Sequence, residues 1–126
     1  MAKTPLQTDS APRPAGPYSQ GIRAENLVFV SGQVGLDPKT GQPVSGDVQE
    51  QTRQVLRNIQ AVLQAAGCDL SDVVKTTCFL SDIGDFAPFN QAYREFFPND
   101  PPARSTIQAG LVSPWVVEIE AVALRP

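Results

Sequence analysis

Hydrophobic and polar positions change period several times along this chain, and each change predicts an element. From Asp47 to Ala66, Val48, Thr52, Val55, Leu56, Ile59, Val62, Leu63 and Ala66 recur at i, i+3, i+4 and i+7, the spacing of one helix face. Asp47 with Glu50 three residues later forms a capping-box-like start, and Gly67 is a natural stop. A second helix is predicted over Asp85–Phe97, with Asp85 as N-cap and Phe86, Phe89, Tyr93 and Phe96 on one side; Pro98 ends it. Val73–Ser81 between them reads as a buried strand. Ahead of the first helix, Tyr18–Arg23 and Leu27–Gln33 read as strands joined by a hairpin turn at Ala24-Glu25-Asn26, followed by a turn-rich loop over Gly35–Pro43. After the second helix come two more strands, Arg104–Ala109 and Trp115–Leu124.

The order β-β-α-β-α-β-β predicts an α+β fold of two layers, with a mixed sheet packed against two helices. At 126 residues one domain is expected over 1–126, long enough to bury roughly two-thirds of its unfolded surface. Residues 1–15 form an extended lead-in rich in proline, with at most a short edge strand near Lys3–Thr8. The last strand alternates informatively. Val117, Ile119, Ala121 and Ala123 suit packing under helices, whereas Val116, Glu118, Glu120, Val122 and Leu124 share the other face. A face that mixes apolar and acidic residues fits a subunit interface better than free solvent, so an oligomer is expected.

Composition narrows the function. The hydrophobic fraction is 41% and the charged fraction 18%, values of an ordinary soluble globular protein. A net charge of −3 argues against a nucleic-acid-binding surface, which needs a basic footprint. No apolar run approaches a membrane span, and no apolar segment follows Met1-Ala2-Lys3-Thr4-Pro5 as a secretory signal requires. The cysteines, Cys68 and Cys78, read as reduced thiols of a cytoplasmic protein. Histidine is absent altogether. That excludes Ser/His and Cys/His nucleophilic sites and histidine-based zinc sites, and leaves carboxylates, hydroxyls, Arg, Lys and backbone groups for any catalysis.

Two charged residues stand in apolar strands. Arg104 opens one strand and Glu118 lies within the most strand-like run of the chain. Each is costly there unless paired, solvated or used. If the last two strands form a hairpin around Gly110–Val112, Arg104 and Glu118 fall nearly opposite. They then form either a structural ion pair or, with the guanidinium free, a clamp for a carboxylate beside a glutamate that holds water. Ser31-Gly32-Gln33 is either a plain strand exit or a place where backbone approaches a ligand. Asn90, in the second helix, is either a satisfied buried polar group or a ligand contact. No glycine-rich phosphate loop exists.

Taken together, several segments resemble the reactive intermediate deaminase (RidA/YjgF) family, over nearly the whole chain from about Lys3 to Leu124. They are Gly16-Pro17-Tyr18-Ser19-Gln20-Gly21, Ser31-Gly32-Gln33, Val74-Lys75-Thr76-Thr77, Asp85-Phe86-Ala87, and the closing pair Pro102-Ala103-Arg104-Ser105-Thr106-Ile107 and Val117-Glu118-Ile119-Glu120-Ala121-Val122-Ala123. The resemblance implies a chorismate-mutase-like fold with about six strands on two helices, assembled as a homotrimer with clefts between subunits. It implies hydrolysis of 2-imino acids such as 2-iminopropanoate and 2-iminobutanoate, the products of pyridoxal-phosphate dehydratases, to 2-keto acids and ammonia, without metal or cofactor. By that resemblance Arg104 clamps the substrate carboxylate and Glu118 activates water. Tyr18, Ser31 and Asn90 line the cleft, and the backbones of Gly32 and Thr106 contact substrate or water. Thr106 stands where several members carry Cys, so a thiol is not essential to the reaction. The link from Arg104 to Glu118 is one residue shorter than in a typical member, which leaves Glu118 and Glu120 as alternatives for the role, and the flanking Val-Glu-Ile pattern favours Glu118. Two other functions are compatible with the resemblance: a non-catalytic small-molecule-binding or chaperone-like trimer, and an RNA-directed ribonuclease or translation inhibitor, which the acidic balance disfavours.

Overall fold

Residues 2–126 are described by the computed structural model. Strands β1 (Lys3–Leu6), β2 (Gly21–Ala24) and β3 (Leu27–Gln33) are followed by a two-residue hairpin, β4 (Leu36–Asp37) with β5 (Gln42–Pro43). Helix α1 (Val48–Ala65), strand β6 (Val73–Leu80), helix α2 (Phe86–Phe96) and strands β7 (Ala103–Gln108) and β8 (Val117–Leu124) complete the chain. The main sheet has six strands in the order β1-β2-β3-β8-β6-β7. Only β6 and β7 run parallel, as the crossover through α2 between them demands.

Helix α1 forms where the 3.6-residue pattern predicts it, and it buries Val55, Leu56, Ile59, Val62 and Leu63 completely. The Asp47 carboxylate accepts from the N–H groups of Gln49 (2.7 Å) and Glu50 (3.4 Å). The expected capping box is only half made, because the Glu50 carboxylate turns away to Arg53. At the far end Gly67 takes φ +78°. Its N–H reaches the carbonyl of Gln64 and that of Cys68 reaches Leu63, a double bond pattern that closes the helix. Asp85 precedes α2 as expected but makes no side-chain cap. Asp82 does that work one turn earlier, accepting from Gly84 N–H at 2.8 Å over the 3₁₀ turn Ile83–Asp85.

The expected alternation of the last strand is present. Val117, Ile119, Ala121 and Ala123 are buried and Glu118 and Glu120 lie on the opposite face. The expected hairpin between the last two strands is absent. β8 sits in the middle of the sheet between β3 and β6, and β7 lies beyond β6 at the edge. The reason is burial: four fully apolar positions of β8 gain most at the sheet centre, whereas β7 has no buried position and suits an edge. Other boundaries shift for local reasons. Pairing starts at Gly21 rather than Tyr18, and at Val117 rather than Trp115. The Gly35–Pro43 loop contains the β4–β5 hairpin. The lead-in is tied down at two points: β1 pairs with β2, and the buried Gln20 amide binds the backbone of Thr8, Ala11 and Pro12.

These caps separate two aspartates that look alike in sequence. Asp47→Ala is expected to cost about 1 kcal/mol of stability, and Asp85→Ala less than about 0.5 kcal/mol. Urea denaturation of the two variants checks this, and equal losses would contradict the assignment of caps.

Candidate functional site

The sheet divides the expected site residues into two groups. In the register, Arg104 lies level with Thr76 and hence with Ala121, whereas Glu118 lies level with Phe79 and hence with Ile107. The two residues are three positions apart along the strands and two strands apart across them, roughly 14 Å between Cα atoms. They also face opposite sides. Arg104 shares the helix-covered side with Thr76 and Cys78, and Glu118 points to the uncovered side. The cross-strand ion pair is thereby excluded within one chain. Among the described residues the only salt bridges join Arg53 to Glu50 and to Glu95.

On the uncovered side, Tyr18, Ser31, Gly32 and Glu118 line one cleft of about 580 Å³, together with Leu111, Val112, Trp115 and Glu120. A β-bulge shapes its floor: Val30 pairs with Ala121 and Gln33 with Ile119, so Ser31 and Gly32 together oppose the single residue Glu120. The Ser31 N–H donates to the Gln20 carbonyl (2.9 Å) and its hydroxyl to the Ser19 carbonyl (2.6 Å), so the hydroxyl oxygen keeps its acceptor capacity. The absence of a side chain at Gly32 lets the Glu118 carboxylate lie directly against the backbone, since a Cβ there would push that carboxylate aside. Tyr18 lies over the rim, its hydroxyl accepting from Ala15 N–H at 3.2 Å. Burial, with the charge of Glu120 second, holds the Glu118 carboxyl above the usual carboxylate range.

On the covered side, Arg104 and Asn90 line a second cleft, with Arg94 and Phe97. The guanidinium lies over three rings of α2, with its centre 4.8 Å from the ring of Tyr93, 5.4 Å from Phe89 and 5.6 Å from Phe86. These rings stabilise a cation without neutralising it. Burial pushes the Tyr93 phenol up to about 12, so it stays uncharged beside Arg104; its hydroxyl is engaged with that of Thr76 at 2.7 Å. The Oδ1 of Asn90 and the hydroxyl of Thr106 are buried without partners. Thr106 faces Cys78 across the register, and a thiol is a weak partner for it. This side of the sheet thus holds a cation with no counter-ion and two buried polar atoms without partners, and the planar guanidinium can bind an anionic, hydrogen-bonding group.

Six of the seven residues expected from the sequence border one of two clefts, Tyr18, Ser31, Gly32 and Glu118 the first and Arg104 with Asn90 the second; Thr106 borders neither and lies two residues beyond Arg104 on the same side of the sheet. The aromatic floor of Arg104 was visible as spacing on one helix side. Leu111, Val112 and Trp115 carried no signal, because their segment has no period.

Comparison with known proteins fits this geometry. The sequence model of the family described as Endoribonuclease L-PSP matches residues 8–125. A RutC family protein of Pyrococcus horikoshii is 48% identical over 124 residues, covering 98% of each chain. The human 2-iminobutanoate/2-iminopropanoate deaminase is 46% identical over 121 residues, covering 95% of this chain and 88% of that one. Among solved structures, Escherichia coli TdcF with bound serine superposes with a TM-score of 0.93 at 39% identity, covering 98% and 99% of the two chains.

The collision at Gly32 can be measured. Gly32→Ala is expected to displace the Glu118 carboxylate at a cost of about 1 kcal/mol or less, and Glu118→Ala in the same chain is expected to restore most of that loss. A double-mutant cycle by thermal denaturation checks the coupling, and additive effects would place the strain elsewhere.

Proposed function

The chain belongs to the Endoribonuclease L-PSP family, which includes the 2-iminobutanoate/2-iminopropanoate deaminases, and from that membership we propose that it hydrolyses 2-imino acids to 2-keto acids and ammonia. The observation that carries this reading is the pair of unneutralised charges, Arg104 and Glu118, set in two clefts on opposite sides of one sheet. Each cleft holds half of what the reaction needs. Two copies of the chain placed edge to face bring the Arg104 half of one against the Glu118 half of the other. We assign the assembly as a homotrimer with three such clefts. The uncovered sheet face supports an assembly of this kind, since Phe29, Leu27, Leu124 and Ile107 remain exposed. The two free, buried cysteines fit a reducing compartment, and the cytoplasm is the location proposed.

The chemistry follows from the parts. Arg104 binds the substrate carboxylate through its planar fork, and the Asn90 and Thr106 side chains complete that end. TdcF binds serine, a small acid of comparable size, which supports a carboxylate-recognising site in this chain. Glu118 holds a water against the imine carbon and takes one of its protons as the C–O bond forms. The proton then passes to the nitrogen of the tetrahedral carbinolamine; as the C–N bond breaks and ammonia leaves, the carbinolamine hydroxyl gives its remaining proton to Glu118 and the carbonyl forms. A protonated imine is already electrophilic, so positioning supplies most of the acceleration. A carboxyl held above its usual range is the stronger base for this transfer. Ser31 and the Gly32 backbone complete the water end.

Arg104→Ala is expected to abolish deamination of 2-iminopropanoate, supplied by a serine dehydratase, while circular dichroism and assembly mass stay unchanged. Mixing Arg104→Ala with Glu118→Gln chains after denaturation and refolding is expected to restore partial activity, because mixed assemblies contain some intact clefts. No recovery in assemblies shown by mass to be mixed would mean that each cleft is built within one chain.

Glu118→Gln is expected to lower kcat by about 10²–10⁴-fold. The sign for stability is opposite. A carboxyl whose folded pKa is raised contributes stability while protonated and loses it as pH rises through that pKa. Removing the charge therefore leaves the melting temperature at neutral pH unchanged or higher. In the wild type, activity is expected to fall on acidification at a higher pH than an unperturbed carboxylate would give. Melting curves and a pH–rate profile test both, and a less stable Glu118→Gln chain would contradict them.

A further inference from the structure

Trp115 is the single tryptophan of the chain, and the reaction as described does not use it. It lies in the irregular segment between β7 and β8, yet that segment is held firmly at this residue. Gln51, fully buried on α1, donates from Nε2 to the carbonyl of Pro114 (3.0 Å) and accepts at Oε1 from the N–H of Val116 (3.0 Å). One side-chain amide thus binds both neighbours of Trp115. The same Nε2 reaches the Ser45 carbonyl at 3.2 Å, and the Trp115 N–H closes a turn onto the Val112 carbonyl at 3.0 Å. A buried amide with three backbone partners is a costly group to disturb, so the segment is preorganised rather than free.

What the segment presents is apolar. Leu111, Val112 and Trp115 line the same cleft as Gly32 and Glu118. Val112 is 80% exposed, the most open of the exposed large apolar side chains among the described residues, and it takes no part in the core. With the substrate carboxylate held by Arg104 of a neighbouring copy and the imine carbon beside Glu118, the remaining substituent of that carbon has to lie along the rest of the cleft. In a single chain, before a neighbouring copy closes over it, this cleft measures about 580 Å³, and its apolar part is the stretch lined by Leu111, Val112 and Trp115.

Resting on the deaminase reading, we infer that Leu111, Val112 and Trp115, clamped by Gln51, form a subsite for the substrate side chain that favours 2-imino acids with branched or long apolar side chains. The reaction is the same hydrolysis; the segment sets which imine is taken.

The test compares imines generated in place from leucine and from alanine by an amino-acid oxidase, 2-imino-4-methylpentanoate and 2-iminopropanoate. Trp115→Ala is expected to lower kcat/KM for the leucine-derived imine about 10-fold or more while leaving the alanine-derived imine within about twofold. Val112→Ser, at a position too exposed to affect folding, is expected to act in the same direction by about threefold. Equal losses on both imines, a gain on the larger one, or a change in assembly mass would overturn the subsite. A second arm does not depend on turnover. Because Trp115 is the only indole, its emission is expected to shift with 4-methyl-2-oxopentanoate and not with pyruvate at equal saturation; no shift with the larger acid overturns the inference. Wild-type protein that hydrolyses neither imine overturns the deaminase reading instead, and the emission arm then decides the subsite alone.

Discussion

The position of β8 constrains everything else in this molecule. The last strand of the chain enters the middle of the sheet, antiparallel to both β3 and β6. Its inner residues close the core beneath α1, and its outer residues bring two glutamates onto the uncovered face. Because β6 then separates β8 from β7, Arg104 and Glu118 cannot meet in one chain. Had the last two strands paired as a hairpin, the two charges would have faced each other and neutralised each other, and neither cleft would carry a free charge. The insertion of one strand decides whether these residues act as an internal ion pair or as two separate binding groups.

Around this frame, irregular backbone is held by two buried amides rather than by regular pairing. Gln20 binds three carbonyls of the lead-in, and its own carbonyl receives the Ser31 N–H at the bulge. Gln51 binds the segment before β8. A long segment without secondary structure leaves backbone groups to be satisfied, and a buried Asn or Gln offers a donor and an acceptor on one rigid plane. Both amides hold segments that border the first cleft. The cleft's backbone is thus tied by hydrogen bonds at Ser31 and on both sides of Trp115, which orienting groups for hydrolysis requires.

The sequence disclosed the periodic parts and the chemistry, and hid the pairing. Helix α1 was legible because nine of its positions are buried on one face, and β8 because Glu118 and Glu120 alternate with apolar residues in a run of strand-forming side chains. Strand order was not legible, since pairing depends on which strand gains most from a central place, a comparison across the whole chain. The two helix starts show the same limit at small scale: Asp47 and Asp85 both precede apolar periodic runs, but only the backbone conformation before the helix decides which carboxylate can turn back to cap it. Arg104 and Glu118 stood out as charges in apolar strands. The roles of Gln20 and Trp115 left no trace, because a polar or aromatic residue in an irregular segment has no pattern to violate, and Gln51 was hidden because a single polar residue does not break the apolar period of α1.

Local rules fail in this chain where the site is proposed. Glu118 carries a charge that burial disfavours, Asn90 and Thr106 bury polar atoms without partners, and Arg104 has no counter-ion. Each of these is costly in an isolated chain, and only Arg104, over the rings of Phe86, Phe89 and Tyr93, is partly compensated by neighbours within it. A carboxylate ligand, a water and the facing surface of a second copy would satisfy all four groups at once. The isolated chain is then the state in which the functional groups are least satisfied, and ligand and neighbour act as the missing partners. On that argument substrate binding and assembly draw on the same unsatisfied groups and are thermodynamically linked: anything that binds the complete cleft stabilises the subunit contact by the same free energy that the contact contributes to binding.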